Sequence, residues 1–371
     1  MQDYKPRPYQ ELITRHILCQ DQCNVHAGMG TGKTVATLTA IAAEVMAGGG
    51  GKTLILAPKL VAMQVWKAEI AKWSHLQDLR ISVISGDADA RRRALAVDAD
   101  VYTLNYELLP WLASTLNGRW PFTRVVADES TRLRGFRLKK GTLRSTTLAR
   151  LSLRARTPPR WVNLTGTPAP NGLQDLWGPQ WFIDQGSRLG RTFTAFTSRW
   201  FYLPPGSGER GKLRPHRYAM EQISEAIADC TLTIRAKDWF NLAEPIVRDV
   251  TVQLPPDARK QYLAMEDKFF AEIAGKPIEA VNSAARSQKL SQMASGAVYV
   301  RKGSDEWAHV HDAKLDALES IIEEAAGAPV LVAYKFRSDR ERILARFKKA
   351  RLFDEKAKTL DDWNAGNIPI L

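Results

Sequence analysis

Ala27-Gly28-Met29-Gly30-Thr31-Gly32-Lys33-Thr34 is the stretch on which the fold of this 371-residue chain turns. It has the pattern of a phosphate-binding loop, with Ala27 where the first glycine usually stands. Its glycines let the backbone curl so that N–H groups face a phosphate. A helix that begins near Thr34 adds its positive N-terminal end. In this reading Lys33 reaches the β- and γ-phosphates of a nucleotide and the Thr34 hydroxyl binds Mg²⁺. Asn24-Val25-His26 forms a short strand before the loop, and a helical pattern runs from about Thr34 to Ala47 after it. That order separates the stretch from a chance glycine turn. Gly48-Gly49-Gly50-Gly51-Lys52-Thr53 also ends in Gly-Lys-Thr, but it follows a helix and precedes a strand. It reads as a helix stop.

The first 185 residues continue in the same alternation. Apolar runs at Thr53–Ala57, Ile81–Ile84, Val101–Leu104, Val125–Ala127 and Trp161–Leu164 read as strands, with a further helix from about Ala62 to Trp73. Such alternation predicts a parallel sheet covered by helices on both faces. Two strands run straight into polar groups. Val125-Val126-Ala127 leads into Asp128-Glu129, where Asp128 holds Mg²⁺ and Glu129 polarises an attacking water. Trp161–Leu164 leads into Thr165-Gly166-Thr167, short hydroxyl side chains able to relay hydrogen bonds from the γ-phosphate. Residues 186–245 are aromatic and loop-rich, with Pro204–Lys212 breaking any regular element. A helical run is expected over Asp257–Met293, then a helix at Lys314–Ala326, a strand at Pro329–Ala333 and a basic helix at Asp339–Lys349.

The composition, 44% hydrophobic and 25% charged, excludes a disordered or fibrous chain. Three cysteines, Cys19, Cys23 and Cys230, do not make a disulfide framework and read as buried thiols of a reducing compartment. The N-terminal residues lack a signal-peptide layout, and no apolar run reaches the roughly 18 residues of a membrane helix, so a cytoplasmic protein is expected. Lysine and arginine number 53 against 40 acidic residues, a formal charge of +13. Ten of these basic residues fall between Thr131 and Arg160, a window with no carboxylate. Arg132, Arg134, Arg137, Lys139 and Lys140 are its part nearest Glu129, and phosphate-backbone binding is expected of them. A merely solvated basic helix is the plainer alternative.

The ordered motifs resemble those of the Swi2/Snf2-type, superfamily 2 helicase-like DNA-dependent ATPases. Arg7-Pro8-Tyr9-Gln10 is similar to the opening motif, in which Gln10 reads adenine. Leu56-Ala57-Pro58-Lys59-Leu60, with Trp66, Glu69 and Trp73, resembles motif Ia, which puts Lys59 at nucleic acid. Leu104-Asn105-Tyr106-Glu107, Leu164–Asn171 with Leu176-Trp177, Ile234-Arg235-Ala236-Lys237 and Val330–Tyr334 resemble later segments. The compact size and the Asp-Glu-Ser-Thr variant resemble phage-encoded members.

The resemblance implies an α/β fold: a P-loop NTPase with a RecA-like parallel-sheet lobe, a helical insertion and an incomplete second RecA-like lobe. Its expected divisions are 1–185 for the ATP-binding lobe, 186–245 for the insertion and linker, and 246–371 for a helical protrusion with part of the second lobe. It also implies ATP and Mg²⁺ as cofactors, duplex DNA as partner, and an ATP-driven translocase or remodeller. Two further motifs of the second lobe, carrying arginines that complete the ATP site, are not found before Leu371. The expectation is therefore a truncated product that binds ATP and hydrolyses it poorly. Two other readings stand beside it, a nucleotide-regulated DNA-binding module and the motor subunit of a restriction-modification system.

Overall fold

Seven short strands pair side by side in parallel: β1 (Gln22–Ala27), β2 (Lys52–Ala57), β3 (Ile81–Ile84), β4 (Val101–Asn105), β5 (Phe122–Asp128), β6 (Arg160–Thr165) and a late strand, Thr231–Ile234. The structure is a computed structural model. It describes residues 1–139, 141–205, 212–239, 246–268, 270–273, 276–279, 282–301 and 303–371. The chain divides into two units, Met1–Ala243 and Glu244–Leu371. Among the described residues no helix is long and apolar enough to cross a membrane.

In the first unit the central strands β2, β5 and β6 are buried along most of their length because both faces are covered. One face carries α1 (Pro8–Cys19), α2 (Lys33–Met46) and α3 (Trp66–Lys72), packed through Ile13, Ile17, Leu38, Ile41 and Trp66. After the exposed α4 (Ala88–Ala96), the other face carries α5 (Leu109–Leu116), α6 (Leu143–Leu153) and α7 (Trp177–Asp184), packed through Leu112, Leu148, Trp177 and Phe182. The stretch expected as one helix from Ala62 to Trp73 opens as a π-helical turn over Val61–Val65 and becomes regular only at Trp66. Gly48–Gly51 is the turn between α2 and β2, with Gly48 at φ +71°.

The segment after residue 185 is not a separate insertion. It comprises α8 (Phe193–Trp200), the antiparallel pair β7 (Phe201–Tyr202) and β8 (Arg214–Pro215), α9 (Ala219–Ala226), β9 (Thr231–Ile234) and α10 (Ala236–Trp239). Phe196, Trp200, Phe201, Ile223 and Cys230 are buried in the same cluster as α7, and β9 pairs with β1 as the last strand of the main sheet. The boundary expected at 185 therefore moves to Ala243, because the aromatic pieces fill the face that α5–α7 leave open. The loop expected at 204–212 lies mostly outside the described residues. Cys23 and Cys230 are buried, whereas Cys19, at the end of α1, is exposed rather than buried.

In the second unit the run expected as one helix over 257–293 is broken. It forms α11 (Pro256–Lys268), an antiparallel pair β10 (Phe270–Ile273) and β11 (Lys276–Glu279), then α12 (Ser283–Ser295). Pro277 lies inside the interruption and could not continue a helix. The pair β12 (Ala297–Tyr299) and β13 (Trp307–His309) follows, then α13 (Ala313–Glu324), α14 (Arg337–Arg346) and α15 (Ala357–Asn364). The strand expected at Pro329–Ala333 is reduced to a parallel bridge from Val330 to Ile370, which also bridges Ala350.

Phe196→Ala tests whether residues beyond 185 belong to the first core. Truncating a fully buried phenylalanine costs about 3–5 kcal/mol. Urea unfolding of the full chain should show that loss in the transition of the sheet; a loss confined to a separate minor transition would mean that the segment folds apart.

Candidate functional site

The phosphate loop leaves the carboxyl end of β1 and enters α2. Gly30 and Gly32 have φ of +76° and +77°, the left-handed conformation that glycine adopts without a steric penalty. A Cβ at Gly32 would also come within 2.2 Å of Gln10 Nε2, so the Gln10 side chain would have to shift off the loop. Gln10 is seated on the loop: Nε2 donates to Thr31 O at 3.2 Å, and Oε1 accepts from Arg7 N at 2.9 Å. Thr31 Oγ1 donates to Gly28 O at 2.8 Å and closes the loop. Lys33 Nζ donates to Ala27 O at 2.7 Å and Gly28 O at 2.9 Å. Burial pulls its pKa down, opposed by the charges of Asp128 and Glu129. Met29 is exposed at the tip, and Thr34 stands in the first turn of α2. His26, just before the loop, is pushed down by burial to about 4 and brings no charge at neutral pH.

Asp128 ends β5 and is 8% exposed. Its carboxylate accepts from Trp66 Nε1 at 3.2 Å, while its carbonyl accepts from the Tyr106 hydroxyl at 2.8 Å. Burial first, then the charge of Glu129, push the Asp128 carboxyl up to about 6 against the pull of Lys33. Glu129 has φ +53°, ψ +56°. A non-glycine residue in that conformation costs about 1–3 kcal/mol, and such strain concentrates at functional sites.

Thr165 ends β6, which lies between β5 and β1 in the sheet. Its hydroxyl makes a long, 3.5 Å contact to Glu129 Oε2 and accepts from Thr167 N at 3.1 Å. A Cβ at Gly166 would touch Ala27 O at 3.4 Å and Gly28 Cα at 3.5 Å, so this turn lies directly against the phosphate loop. The structure thus brings together residues 27–34, Gln10, Asp128, Glu129 and residues 165–167 at the carboxyl ends of three neighbouring strands.

The basic window does not stay together. Arg132 and Arg144 both reach Glu107, at 3.2 and 2.6 Å. Arg137 turns inward: it donates to Arg134 O and Phe136 O and lies over the Phe193 ring at 3.3 Å. Burial lowers its pKa. Arg160 is at the opposite, amino end of the strands, where it pairs with Glu44 and Asp21. Arg154 and Arg156 precede it on the same connection and are exposed. Of the residues expected at nucleic acid, Lys59, Arg132, Arg134 and Lys139 are exposed, and Lys140 lies outside the described residues. The partners of Trp66 and Glu107 are not visible in the local sequence. Both contacts depend on strand order, which no local pattern carries.

Known proteins resemble this chain along most of its length. The family of SNF2-related domains matches residues 16–287. Protein p41 of Acyrthosiphon pisum secondary endosymbiont phage 1 is 49% identical over 374 aligned residues, covering 100% of this chain and 81% of that protein. The DNA excision repair protein ERCC-6-like of Bos taurus is 30% identical over 177 residues, covering 44% of this chain and only 13% of the cattle protein. In fold, the chain is similar to a Sulfolobus solfataricus SWI2/SNF2 ATPase core solved in complex with dsDNA. That likeness has a TM-score of 0.52 at 18% identity and covers 100% of this chain and 79% of that one.

The Asp128 carboxyl gives a pH signature. With its pKa raised from 3.8 to about 6, the folded chain keeps a proton that the unfolded chain has already released. Its contribution to stability is therefore full below about pH 4 and is lost as pH rises through about 6. Asp128→Asn should stabilise the chain by about 1–3 kcal/mol at pH 7.5 and by little at pH 4. Urea titrations at the two pH values measure this, and an equal effect at both would contradict a buried, raised carboxyl.

Proposed function

The chain belongs to the family of SNF2-related domains, helicase-like ATP-hydrolysing enzymes, and on that premise we propose that it is a motor that uses ATP to act on duplex DNA. The observation that carries the proposal is the convergence of the phosphate loop, the Asp128-Glu129 pair and the Thr165–Thr167 turn at one edge of the sheet. The residues present fit a nucleotide with a divalent cation. Two left-handed glycines hold the loop open, α2 presents its N-terminus, Lys33 supplies a positive charge, and a buried carboxylate stands nearby.

In this reading residues 27–34 cradle the phosphates and Gln10 steadies the loop beside the base. The Thr34 hydroxyl and Asp128 hold Mg²⁺, which when bound offsets charge on the β- and γ-phosphates. Glu129 takes a proton from the attacking water. Thr165 and Thr167 report the state of the γ-phosphate to the rest of the chain.

Duplex DNA is proposed on three supports. The S. solfataricus protein was solved with dsDNA, the chain carries +13, and Lys59, Arg134 and Lys139 are exposed on connections that follow β2 and β5. Such contacts position a protein on DNA without reading bases. The proposed DNA face is thus smaller than the whole basic window, because Arg137 is half-buried against Phe193 and Arg160 lies at the opposite end of the strands, paired with Glu44 and Asp21.

Lys33→Ala should abolish binding of a fluorescent ATP analogue; retained affinity would remove the phosphate-loop assignment. Arg134→Glu with Lys139→Glu should weaken duplex binding and shallow its salt dependence by about one unit of slope per lost phosphate contact. Fluorescence anisotropy across a salt series measures that slope. An unchanged slope would move the DNA face elsewhere.

A further inference from the structure

Trp66 and Asp128 are 62 residues apart and meet through one hydrogen bond, buried at both ends. Trp66 is fully buried and sits on the helix after β2; Asp128 ends β5, the strand that pairs with β2. The helix reaches this position through the π-helical turn at Val61–Val65, and such turns recur at functional sites. An indole N–H donates and never accepts. It therefore supports the ionised carboxylate and fixes one of its oxygens. On the opposite side, the Tyr106 hydroxyl holds the Asp128 carbonyl at 2.8 Å, so both the side chain and the peptide of Asp128 are pinned.

We propose that Trp66 is a positioning residue for the cation: its indole N–H orients the Asp128 carboxylate so that the carboxylate can take Mg²⁺ beside the phosphate loop. The inference rests on the reading of Asp128 as the carboxylate on the metal side. Partners that orient metal-binding side chains typically contribute 10–100-fold to metal affinity. Trp66 also fills the core with Ile55, Ala57 and Ile70, and that packing role alone predicts no effect on a metal.

The test separates the N–H from the volume of the ring. Trp66 is replaced in the full chain by β-(3-benzothienyl)alanine, which has tryptophan's outline with sulfur in place of N–H. Trp66→Phe, which also opens a void, is made alongside. Mn²⁺ affinity is read by electron paramagnetic resonance with a saturating non-hydrolysable ATP analogue. Binding of a fluorescent ATP analogue is read in EDTA, together with the melting temperature. The isostere should weaken Mn²⁺ roughly ten-fold or more, with metal-free nucleotide binding and melting temperature as in the parent. Trp66→Phe should show the same loss of Mn²⁺ affinity plus a lower melting temperature.

Mn²⁺ affinity unchanged in the isostere would overturn the proposal and leave Trp66 as packing. Asp128→Asn is the companion measurement. Lost Mn²⁺ affinity there, with none lost in the isostere, rejects Trp66 alone. Unchanged affinity in Asp128→Asn rejects the metal role of Asp128, and the inference falls with it.

Discussion

β6 is hydrogen-bonded to β5 on one side and to β1 on the other, and this pairing sets the height of every group at the nucleotide edge. Leu164 is level with both Asp128 and Val25, so the acidic pair begins just where β1 is about to become the phosphate loop. In parallel strands all carboxyl ends share one edge, and ligands bind there. A one-residue slip of β6 would turn its side chains to the wrong faces. A chain of buried amides resists that slip: Asn163 donates to Asn24 at 2.9 Å, and Asn24 donates to Gln180 on α7 at 2.8 Å. Each buried amide left unpaired would cost about 1–3 kcal/mol. Register at the centre of the sheet and geometry at its edge are thus one constraint, held by polar groups inside an otherwise apolar core.

That rigidity supports two unfavourable choices at the edge. Asp128 is buried with a raised pKa, and Glu129 is held in a conformation suited to glycine. A fold selected for stability alone would keep neither. They persist because β2, β5 and β6 are fixed on both faces, and because Trp66, Tyr106 and Thr165 approach the pair from three different elements. The strain is local, while the contacts that hold it come from the whole first unit.

The α/β alternation, the phosphate loop and the strands ending in Asp128 and Thr165 were legible in the sequence because each is a local pattern: a glycine run, an apolar run, a polar stop. What escaped depends on contacts distant in sequence. β9 is four residues long and joins the sheet next to β1, more than 200 residues away, so nothing near it marks it as part of the first sheet. The aromatic segment around Phe196 read as an insertion because the ring that its Phe193 meets, Trp177 on α7, is recognisable as a partner only after folding. The hairpin between α11 and α12 interrupts residues whose spacing alone suits a helix. Val330–Val332 has a strand's composition, but among the described residues it finds only the 369–371 segment to pair with.

The basic window shows the same limit in electrostatic form. Counted along the chain, residues 131–160 hold ten positive charges and no negative one. In the fold the compensating carboxylates arrive from elsewhere. Glu107 comes from the connection after β4 to meet Arg132 and Arg144, and Glu44 comes from α2 to meet Arg160 and the buried Arg124. The sheet then separates what remains among the described residues, leaving Arg134 and Lys139 after the carboxyl end of β5, and Arg150, Arg154 and Arg156 at the end of α6 and on the connection into the amino end of β6. A phosphate backbone laid along the carboxyl edge of the sheet, as proposed, would meet only the first pair. Charge density along a sequence therefore overstates the field at a site whenever helices cross from one end of a sheet to the other, as α6 does here.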